Sequence, residues 1–281
     1  MLLGILTALS SAAGLGACLL WDGFDGLGWL WMLPAVGLGT FLVLVGIGFG
    51  LLMVMCKKVD QSVPQEDDDP LYRFVSETII AAALPFLRIR VIKKGMEKVP
   101  SDGRFLLICN HVNDSDPIIL LYCFPKRKLA FVSKKENADM FVIGPMMHKL
   151  QCQLINREND REALKTILEC IRLLKEDEVS VAVFPEGYIH DDRLLHPFRP
   201  GVFKIAQRTK VPIAVCTLRN TTTVFSNMAH LKPSDVELRL LTVIQPEEYE
   251  GITTVELANR IYGMMADDLG PELVYHAAEN T

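Results

Sequence analysis

The chain has 281 residues, half of them hydrophobic, and carries 29 Lys and Arg against 34 Asp and Glu, a formal net charge of −5. This apolar content is ample for a packed core and excludes a disordered or fibrous protein. Residues 1–69 hold two of the basic and seven of the acidic side chains, so the remaining 212 residues balance at 27 of each. That balance excludes a polycationic nucleic-acid binder, and we expect no nucleic-acid partner.

The chain begins with two long apolar segments that contain no charged residue, 1–21 and 26–56. Each is long enough to cross a hydrocarbon layer about 30 Å thick, at about 1.5 Å per helical residue. We predict two membrane-spanning helices, the second from Pro34 to Met55. Because Lys57 and Lys58 follow directly, the positive-inside rule predicts a multi-pass protein of the cell membrane whose C-terminal part is cytoplasmic. A cleaved signal peptide is the alternative for the first segment, but the positively charged start of such a peptide is missing.

Composition divides the chain into three predicted parts: a transmembrane helical hairpin over 1–58, an acidic linker over 59–70 and a catalytic domain over 71–281. Seven cysteines without a CxxC pair predict reduced thiols in a cytosolic domain. The domain begins with a predicted apolar helix, Leu71 to Leu84, ended by Pro85.

Beyond this helix, short apolar runs alternate with longer helical ones. We predict strands at Leu87–Ile92, Phe105–Cys109, Leu129–Val132, Cys152–Ile155, Val179–Phe184, Ile213–Leu218 and Val236–Val243. We predict helices at Pro117–Tyr122, Ala138–Leu150, Asp160–Lys175, Val202–Arg208 and Thr254–Leu269. Near-continuous apolar strands indicate a sheet covered on both faces, so the predicted fold is α/β, a mixed central sheet flanked by helices and preceded by the transmembrane hairpin.

A polar loop follows the predicted strand Phe105–Cys109, and it contains Asn110, His111 and Asp116. Strand ends that face a helix start are where open α/β sheets place ligand sites. Asp116 before Pro117 is typical of a helix N-cap. In such a turn the carboxylate can also hold one imidazole nitrogen while the other accepts a proton from a substrate hydroxyl.

Two further constellations follow other strands. Phe184-Pro185-Glu186-Gly187 ends the strand Val179–Phe184 and presents a carboxylate between proline and glycine. Ile155-Asn156-Arg157 places an arginine, suited to bidentate phosphate binding, at another strand end. Taken alone, Arg157 is interpreted more simply as a solvated surface residue.

In this order the segments resemble the glycerolipid acyltransferase family, in particular its 1-acyl-glycerol-3-phosphate acyltransferases. The HxxxxD motif matches His111 to Asp116, the FPEG motif Phe184 to Gly187, and the arginine motif Ile155 to Arg157. The KxEL block is similar to Lys134 to Asn137, and the VPI motif to Val211 to Ile213. The resemblance covers about Arg88 to Thr217.

The resemblance implies a membrane-bound O-acyltransferase of phospholipid biosynthesis. It would move a fatty acyl group from acyl-CoA or acyl carrier protein to the free hydroxyl of lysophosphatidic acid, giving phosphatidic acid. His111 and Asp116 would be catalytic, the imidazole acting as general base on the hydroxyl. Substrate binding would fall to Asn110, Lys134, Arg157, Glu186 and Gly187. No metal and no cofactor is implied; the thioester is a co-substrate, and the partners are the bilayer and the lysophospholipid.

The chain departs from the family pattern after FPEG. Where the family usually has Thr or Ser, then Arg, then Ser, this chain has Tyr188, Ile189 and His190. A cation usually assigned to phosphate is therefore missing, and Arg193 or Arg199 is a candidate replacement. The departure leaves two alternatives open: another lysophospholipid or hydroxylated lipid as acceptor, and a degenerate domain that serves as a lipid-binding membrane scaffold.

Two other chemistries have weaker support. His190, Asp191, Asp192 and His196 could together suggest a metal hydrolase, but the stretch reads more simply as an exposed loop. Ser115 and Cys109 adjoin His111 and could be nucleophiles, but a strand cysteine usually belongs to a core and a serine before a helix usually serves the turn.

Overall fold

The computed structural model describes residues 2–21, 24–156 and 159–276, which form two compact units, Met1–Ser62 and Val63–Thr281. The first unit is a helical hairpin of α1, Leu2–Leu20, and α2, Trp29–Lys57. A Cβ on Gly14 of α1 would lie 2.7 Å from the carbonyl oxygen of Leu33, so glycine allows the two backbones to approach closely there.

Both helices of the hairpin are long and apolar enough to cross a membrane. The prediction that the second helix begins at Pro34 is wrong, because α2 begins at Trp29 and contains Pro34. Pro34 is thus the sixth residue of the helix, and α2 continues through it without the one hydrogen bond that an N–H at this position would donate to the carbonyl of Leu30.

The second unit is built on one seven-stranded mixed sheet, as the apolar runs predict. Its strands are β1 Ile89–Lys94, β2 Leu106–Ile108, β3 Leu129–Lys134, β4 Gln153–Ile155, β5 Ser180–Val183, β6 Ile213–Arg219 and β7 Ser234–Ile244. They lie in the order β1-β7-β6-β2-β5-β3-β4, and β6 with β7 is the antiparallel pair. The run β6-β2-β5-β3-β4 is parallel, so the carboxyl ends of these five strands share one edge of the sheet.

Helices cover both faces of the sheet. They are α3 Pro70–Phe86, α4 Asp116–Cys123, α5 Ile143–Lys149, α6 Asp160–Lys175, α7 Lys204–Thr209, α8 Val224–Ala229 and α9 Thr254–Leu269. One core cluster joins the sheet to α3, α4 and α8, and α5 packs against α3. The other cluster joins the opposite face to α6, α7 and α9. Strand residues alternate between the two: Leu106 and Ile108 face α6, while Leu107 between them faces α4.

Three local predictions need correction. The prediction that Pro85 ends α3 is wrong, because the helix continues through Phe86 and lacks only the one hydrogen bond that an N–H at position 85 would donate to the carbonyl of Ala81. Residues 138–150 form a 3₁₀ turn and the short helix α5 rather than one helix. The short helix α8, Val224–Ala229, has no predicted counterpart.

Candidate active site

Three of the motif segments lie next to one another at the carboxyl ends of the parallel strands. The polar loop carrying His111 follows β2, Phe184 to Gly187 follow β5, and Lys134 is the last residue of β3. Because β5 lies between β2 and β3, these segments are neighbours although up to 75 residues separate them in sequence. Arg157, predicted after β4, lies outside the described residues, and its role stays a prediction.

The imidazole of His111 is held by the carboxylate of Asp116. Nδ1 of His111 lies 3.0 Å from Oδ2 of Asp116, and that oxygen also accepts from the backbone N–H of Val112 and of Asn113, each at 2.8 Å. Asp116 is fully buried, and its ionised form favours the tautomer in which Nδ1 carries the proton. The imidazole stacks on the ring of Phe184, with centroids 4.0 Å apart. Nε2 has no protein partner within the described part of the chain, so its lone pair is available to a substrate.

The N-cap role predicted for Asp116 is wrong in detail. Asp116 is the first residue of α4, but its carboxylate turns back to the loop and accepts no N–H from the helix. Three donors converge on one oxygen: the two loop N–H groups and the imidazole. The loop geometry and the histidine orientation therefore depend on the same carboxylate.

Glu186 joins the histidine loop to the segment that follows β5. Its Oε1 accepts the backbone N–H of His111 at 2.8 Å, and its Oε2 accepts that of His196 at 2.9 Å. Burial raises the pKa of Glu186 to about 8, against the lowering effect of these two N–H groups, and the charge of Asp116 raises it further. Each oxygen accepts one backbone N–H and the side chain is buried, so Glu186 positions the histidine loop in this structure, and its role in substrate binding stays a prediction.

Arg193 also holds the loop that carries His111. Its Nη1 donates to the carbonyl oxygen of Val112 at 2.9 Å, across 81 residues of sequence. Asn110 fixes the start of the loop: its Oδ1 accepts the N–H of Leu218 at 2.7 Å, and its Nδ2 donates to the carbonyl of Leu218 at 3.0 Å. The amide of Asn110 is thus engaged with β6, and its predicted substrate contact would require these bonds to open.

The absence of a side chain at Gly187 leaves space for the guanidinium of Arg199. Its φ is +91°, and a Cβ there would lie 2.7 Å from Nε of Arg199. The Arg199 backbone N–H donates to the carbonyl of Pro185 at 2.8 Å, and its guanidinium lies 5.8 Å from the ring centre of Tyr188. Any side chain at position 187 would be strained and would displace the guanidinium.

A cavity of about 330 Å³ opens beside Gly187 and Arg199 at this edge of the sheet. Its walls are mostly apolar, from β3, β5 and α6, and its charged lining residues are Arg199, Lys204 and Asp160. Phe184 lines this cavity and also stacks on His111, so the cavity adjoins the imidazole. Within the described ranges, no carboxylate pairs with the guanidinium of Arg199, which leaves it available to an anionic ligand.

The weaker sequence alternatives gain nothing from the geometry. His190 and His196 stack face to face at 3.4 Å, Nε2 of His196 bonds to Asp192, and the described residues contain no group of three or more potential ligands arranged around a metal ion. Burial raises the pKa of the Cys109 thiol well above its usual value, which keeps it protonated. The buried hydroxyl of Ser115 has no hydrogen-bond partner among the described residues, so no base activates it.

Two contributions to the site escape sequence reasoning. His196 acts through its backbone N–H, which any residue type would supply, so its identity carries no signal. Phe184 belongs to a motif, but its stacking on His111 arises because β2 and β5 are adjacent strands, which only the sheet order reveals.

Comparison with known proteins finds a family model and a solved structure to which this chain is similar. Residues 90–219 match the family model described as acyltransferase. The crystal structure of the 1-acyl-sn-glycerophosphate acyltransferase from Thermotoga maritima superposes with a TM-score of 0.61 at 19% identity, covering 78% of this chain and 86% of that one. At this identity the likeness establishes the fold.

Among curated proteins, two similar relatives have related names. A 1-acyl-sn-glycerol-3-phosphate acyltransferase of Cocos nucifera is 26% identical over 60% of this chain and 55% of its own length. A "Probable 1-acyl-sn-glycerol-3-phosphate acyltransferase" of Mycoplasma pneumoniae is 25% identical over 79% of this chain and 88% of its own. The chain therefore spans about half of the coconut protein and most of the bacterial one.

Proposed function

We propose that this chain is an O-acyltransferase of the glycerolipid acyltransferase family, and that it transfers a fatty acyl group from an acyl thioester to the free hydroxyl of lysophosphatidic acid, giving phosphatidic acid; its similarity to the acyltransferase family model and to the named relatives supports this proposal. One observation carries the proposal: Asp116 holds Nδ1 of His111 at 3.0 Å while Nε2 faces no protein partner among the described residues. This is the arrangement of a general base that awaits a hydroxyl.

The proposed reaction is a direct transfer. Nε2 of His111 takes the proton of the lipid hydroxyl as that oxygen attacks the thioester carbonyl carbon. The C–S bond then breaks, and the imidazolium returns the proton to the departing sulfur. Asp116 stabilises the cationic imidazole between these events. Coenzyme A or acyl carrier protein is the proposed carrier of the acyl group, and the chain itself needs no cofactor or metal for this scheme.

The proposed location is the cytoplasmic side of a membrane. The apolar helices α1 and α2 support a two-span anchor, and Lys57 supports a cytoplasmic domain after it. A membrane anchor suits an acceptor that is itself a lipid, since the substrate then stays within the bilayer.

The proposed phosphate contact is made by Arg199, with Lys134 and Arg157 as the other predicted cations. Support comes from the guanidinium beside Gly187, with which no carboxylate of residues 2–21, 24–156 or 159–276 forms an ion pair, and from the adjoining cavity. Because Ile189 stands where the family usually has arginine, Arg199 is the cation next to FPEG that is free to serve. A hydrogen-bonded charge of this kind contributes about 1.5–3 kcal/mol, or tenfold and more in affinity.

An acyl-transfer assay in membranes with a panel of lysophospholipids and with monoacylglycerol tests both proposals. We expect lysophosphatidic acid to be the best acceptor, and Arg199→Gln to raise its KM about tenfold while leaving the KM of the acyl thioester unchanged. Arg208→Gln, an exposed arginine of α7, is the matched control and should behave as the unaltered chain does. Preference for another acceptor would refute lysophosphatidic acid as substrate; an equal rise in both KM values would refute the phosphate contact.

A further inference from the structure

Arg193 contacts the loop that carries His111, although it belongs to the segment that follows β5. Its Nη1 donates to the carbonyl oxygen of Val112 at 2.9 Å. Val112 directly follows His111 and is buried. A carbonyl oxygen in such surroundings needs a donor, and a guanidinium forms one of the stronger hydrogen bonds available to it. Displacement of the loop at Val112 would therefore break a charge-assisted bond.

Three successive peptide groups of this loop are each held by one ionisable side chain. The N–H of His111 donates to Glu186 and the N–H of Val112 donates to Asp116, each at 2.8 Å. The carbonyl of Val112 belongs to the next peptide group and accepts from Arg193. Because each peptide group is planar, the orientations of three in a row determine the backbone dihedrals of the two residues between them. The bond from Arg193 thus helps to set the direction in which the imidazole of His111 leaves the backbone.

The backbone of Arg193 adopts a conformation that is unfavourable for arginine. Its φ is +59°, in the left-handed region, where the Cβ atom crowds the neighbouring carbonyl and where glycine fits without strain. Among the residues that the structure describes, no carboxylate forms an ion pair with its guanidinium, so an ion pair does not account for the position of this side chain. A strained residue that persists in a turn beside an active site suggests a function for its side chain.

The backbone two residues after Arg193 is bonded to the C-terminal segment of the domain. The N–H of Leu195 donates to the carbonyl of Leu273 at 2.8 Å, and the carbonyl of Leu195 accepts the N–H of Tyr275 at 3.0 Å. The side chain of Leu195 is buried in the core on the α6 side of the sheet. The turn that carries Arg193 is therefore fixed to the domain at its C-terminal end.

Side chains hold the same turn together. The ring of His196 stacks between those of His190 and Tyr275, with centroids 3.4 and 4.3 Å apart, and its Nε2 bonds to the carboxylate of Asp192 at 2.9 Å. These contacts join residues on both sides of Arg193. A guanidinium carried on a backbone fixed in this way is already placed for its bond, which suits a group that positions another.

We propose that Arg193 is a positioning residue of the active site: its bond to the carbonyl of Val112 keeps the imidazole of His111 directed at the acceptor hydroxyl. The inference rests on the proposed function, in which His111 is the general base. Arg193 would thus differ in role from Arg199, to which the phosphate contact is assigned. Because a displacement of about 1 Å in an active site can cost about 10²-fold in rate, loss of the bond should appear in kcat.

Arg193→Gly in the full chain, assayed in membranes, tests the proposal. Glycine accepts the backbone conformation at this position, so the substitution removes the side chain without straining the turn. We expect kcat with lysophosphatidic acid to fall about tenfold or more, with little change in the KM of either substrate. Arg193→Lys keeps a charged donor that can reach the same carbonyl and should recover most of the lost activity.

Arg88→Gly is the matched control. Arg88 also has a φ of +59°, and its Nη1 donates to the carbonyl of Leu231 at 2.7 Å, across 143 residues of sequence. This contact lies next to the start of β1, and β7 and β6 separate β1 from β2 in the sheet. The control therefore removes the same kind of bond from the same kind of backbone position. We expect a similar change in melting temperature for both glycine variants and a normal kcat for Arg88→Gly.

Three kinetic results would overturn the proposal. The first is a normal kcat for Arg193→Gly, and the second is an equal loss of activity in Arg193→Gly and Arg88→Gly. The third is a raised KM for lysophosphatidic acid at unchanged kcat, because Arg193 would then contact the acceptor and not position the base.

Hydrogen exchange gives a readout that does not depend on acyl transfer. Amide exchange of peptides from 110–117 is followed by mass spectrometry on the full chain in membranes. We expect Arg193→Gly to speed exchange there about fivefold or more, and Arg88→Gly to leave it unchanged, because only the first loosens the loop. If exchange responds in this way but the unaltered chain acylates no lysophosphatidic acid, Arg193 still positions the loop and the proposed function fails. If the chain acylates this acceptor but Arg193→Gly changes neither exchange nor kcat, only the role of Arg193 fails.

Discussion

Replacing His111 with alanine should lower the rate of acyl transfer by about 10²- to 10⁴-fold, the contribution expected of a positioned general base. The imidazole is partly exposed and lies over Phe184, so its removal leaves the buried loop contacts of Asp116 to Val112 and Asn113 in place. The loss should therefore appear in kcat and not in folding. Initial rates in membranes containing equal amounts of each protein are the measurement.

His230→Ala is the control for this substitution. His230 is exposed and bonds through Nδ1 to the carbonyl of Ser226, away from the site. We expect its activity to equal that of the unaltered chain. His111→Ala with more than half of normal activity would eliminate the general-base assignment.

Replacing Asp116 with asparagine should lower kcat by about 10²-fold or more while the protein remains folded. The amide oxygen of asparagine can still accept the backbone N–H groups of Val112 and Asn113, which holds the loop. A neutral amide cannot stabilise the cationic imidazole or enforce its tautomer. Asp116→Ala should in addition lower the melting temperature, because two buried N–H groups lose their acceptor. Steady-state rates and thermal unfolding together separate the two effects.

Asp114→Asn is the matched control, since Asp114 lies in the same loop but is exposed. It should leave the rate and the melting temperature unchanged. If Asp116→Asn and Asp114→Asn lost activity to the same extent, the loss would reflect general loop charge, and the role of Asp116 in orienting the imidazole would have to be abandoned.

Much of the fold could be predicted because both faces of the sheet are buried. Each strand is then a short apolar run that stands out from polar surroundings, and all seven predicted runs form strands. The helices Asp160–Lys175 and Thr254–Leu269 have the predicted bounds, because polar caps mark their starts: Asn159 and Thr253 each accept backbone N–H groups of the first turn. The short helix α8 was not predicted, because it has too few turns to show a hydrophobic period.

From the sequence, only those contacts of the site could be predicted that join residues close to one another along the chain. His111 and Asp116 are five residues apart, and their contact follows from one turn. The positions of Glu186 and Arg193 depend on long-range contacts with the same loop, 75 and 81 residues away. The sequence predicts a substrate-binding role for the carboxylate of Glu186, but it cannot show that each of its oxygens accepts a backbone N–H group.

Arg199 illustrates a different limit of prediction from sequence. The sequence shows that Ile189 stands where the family usually has arginine, but it cannot show which of the later arginines lies beside the cavity. The structure separates the two candidates, because Arg193 is bonded to the carbonyl of Val112 while Arg199 lies over Gly187 beside the cavity. That separation comes from the path of the chain after β5, which no local pattern encodes.

The central claim is that His111 activates a lipid hydroxyl for direct attack on a thioester. Its most direct test is a rapid-quench experiment on the full chain in membranes, with a thioester radiolabelled in its acyl group, with and without lysophosphatidic acid. The account predicts label in phosphatidic acid only, formed when the acceptor is present, and no label on the protein at any time. Label bound covalently to the protein, for example at Ser115 or Cys109, or phosphatidic acid formed as readily by His111→Ala, would contradict it.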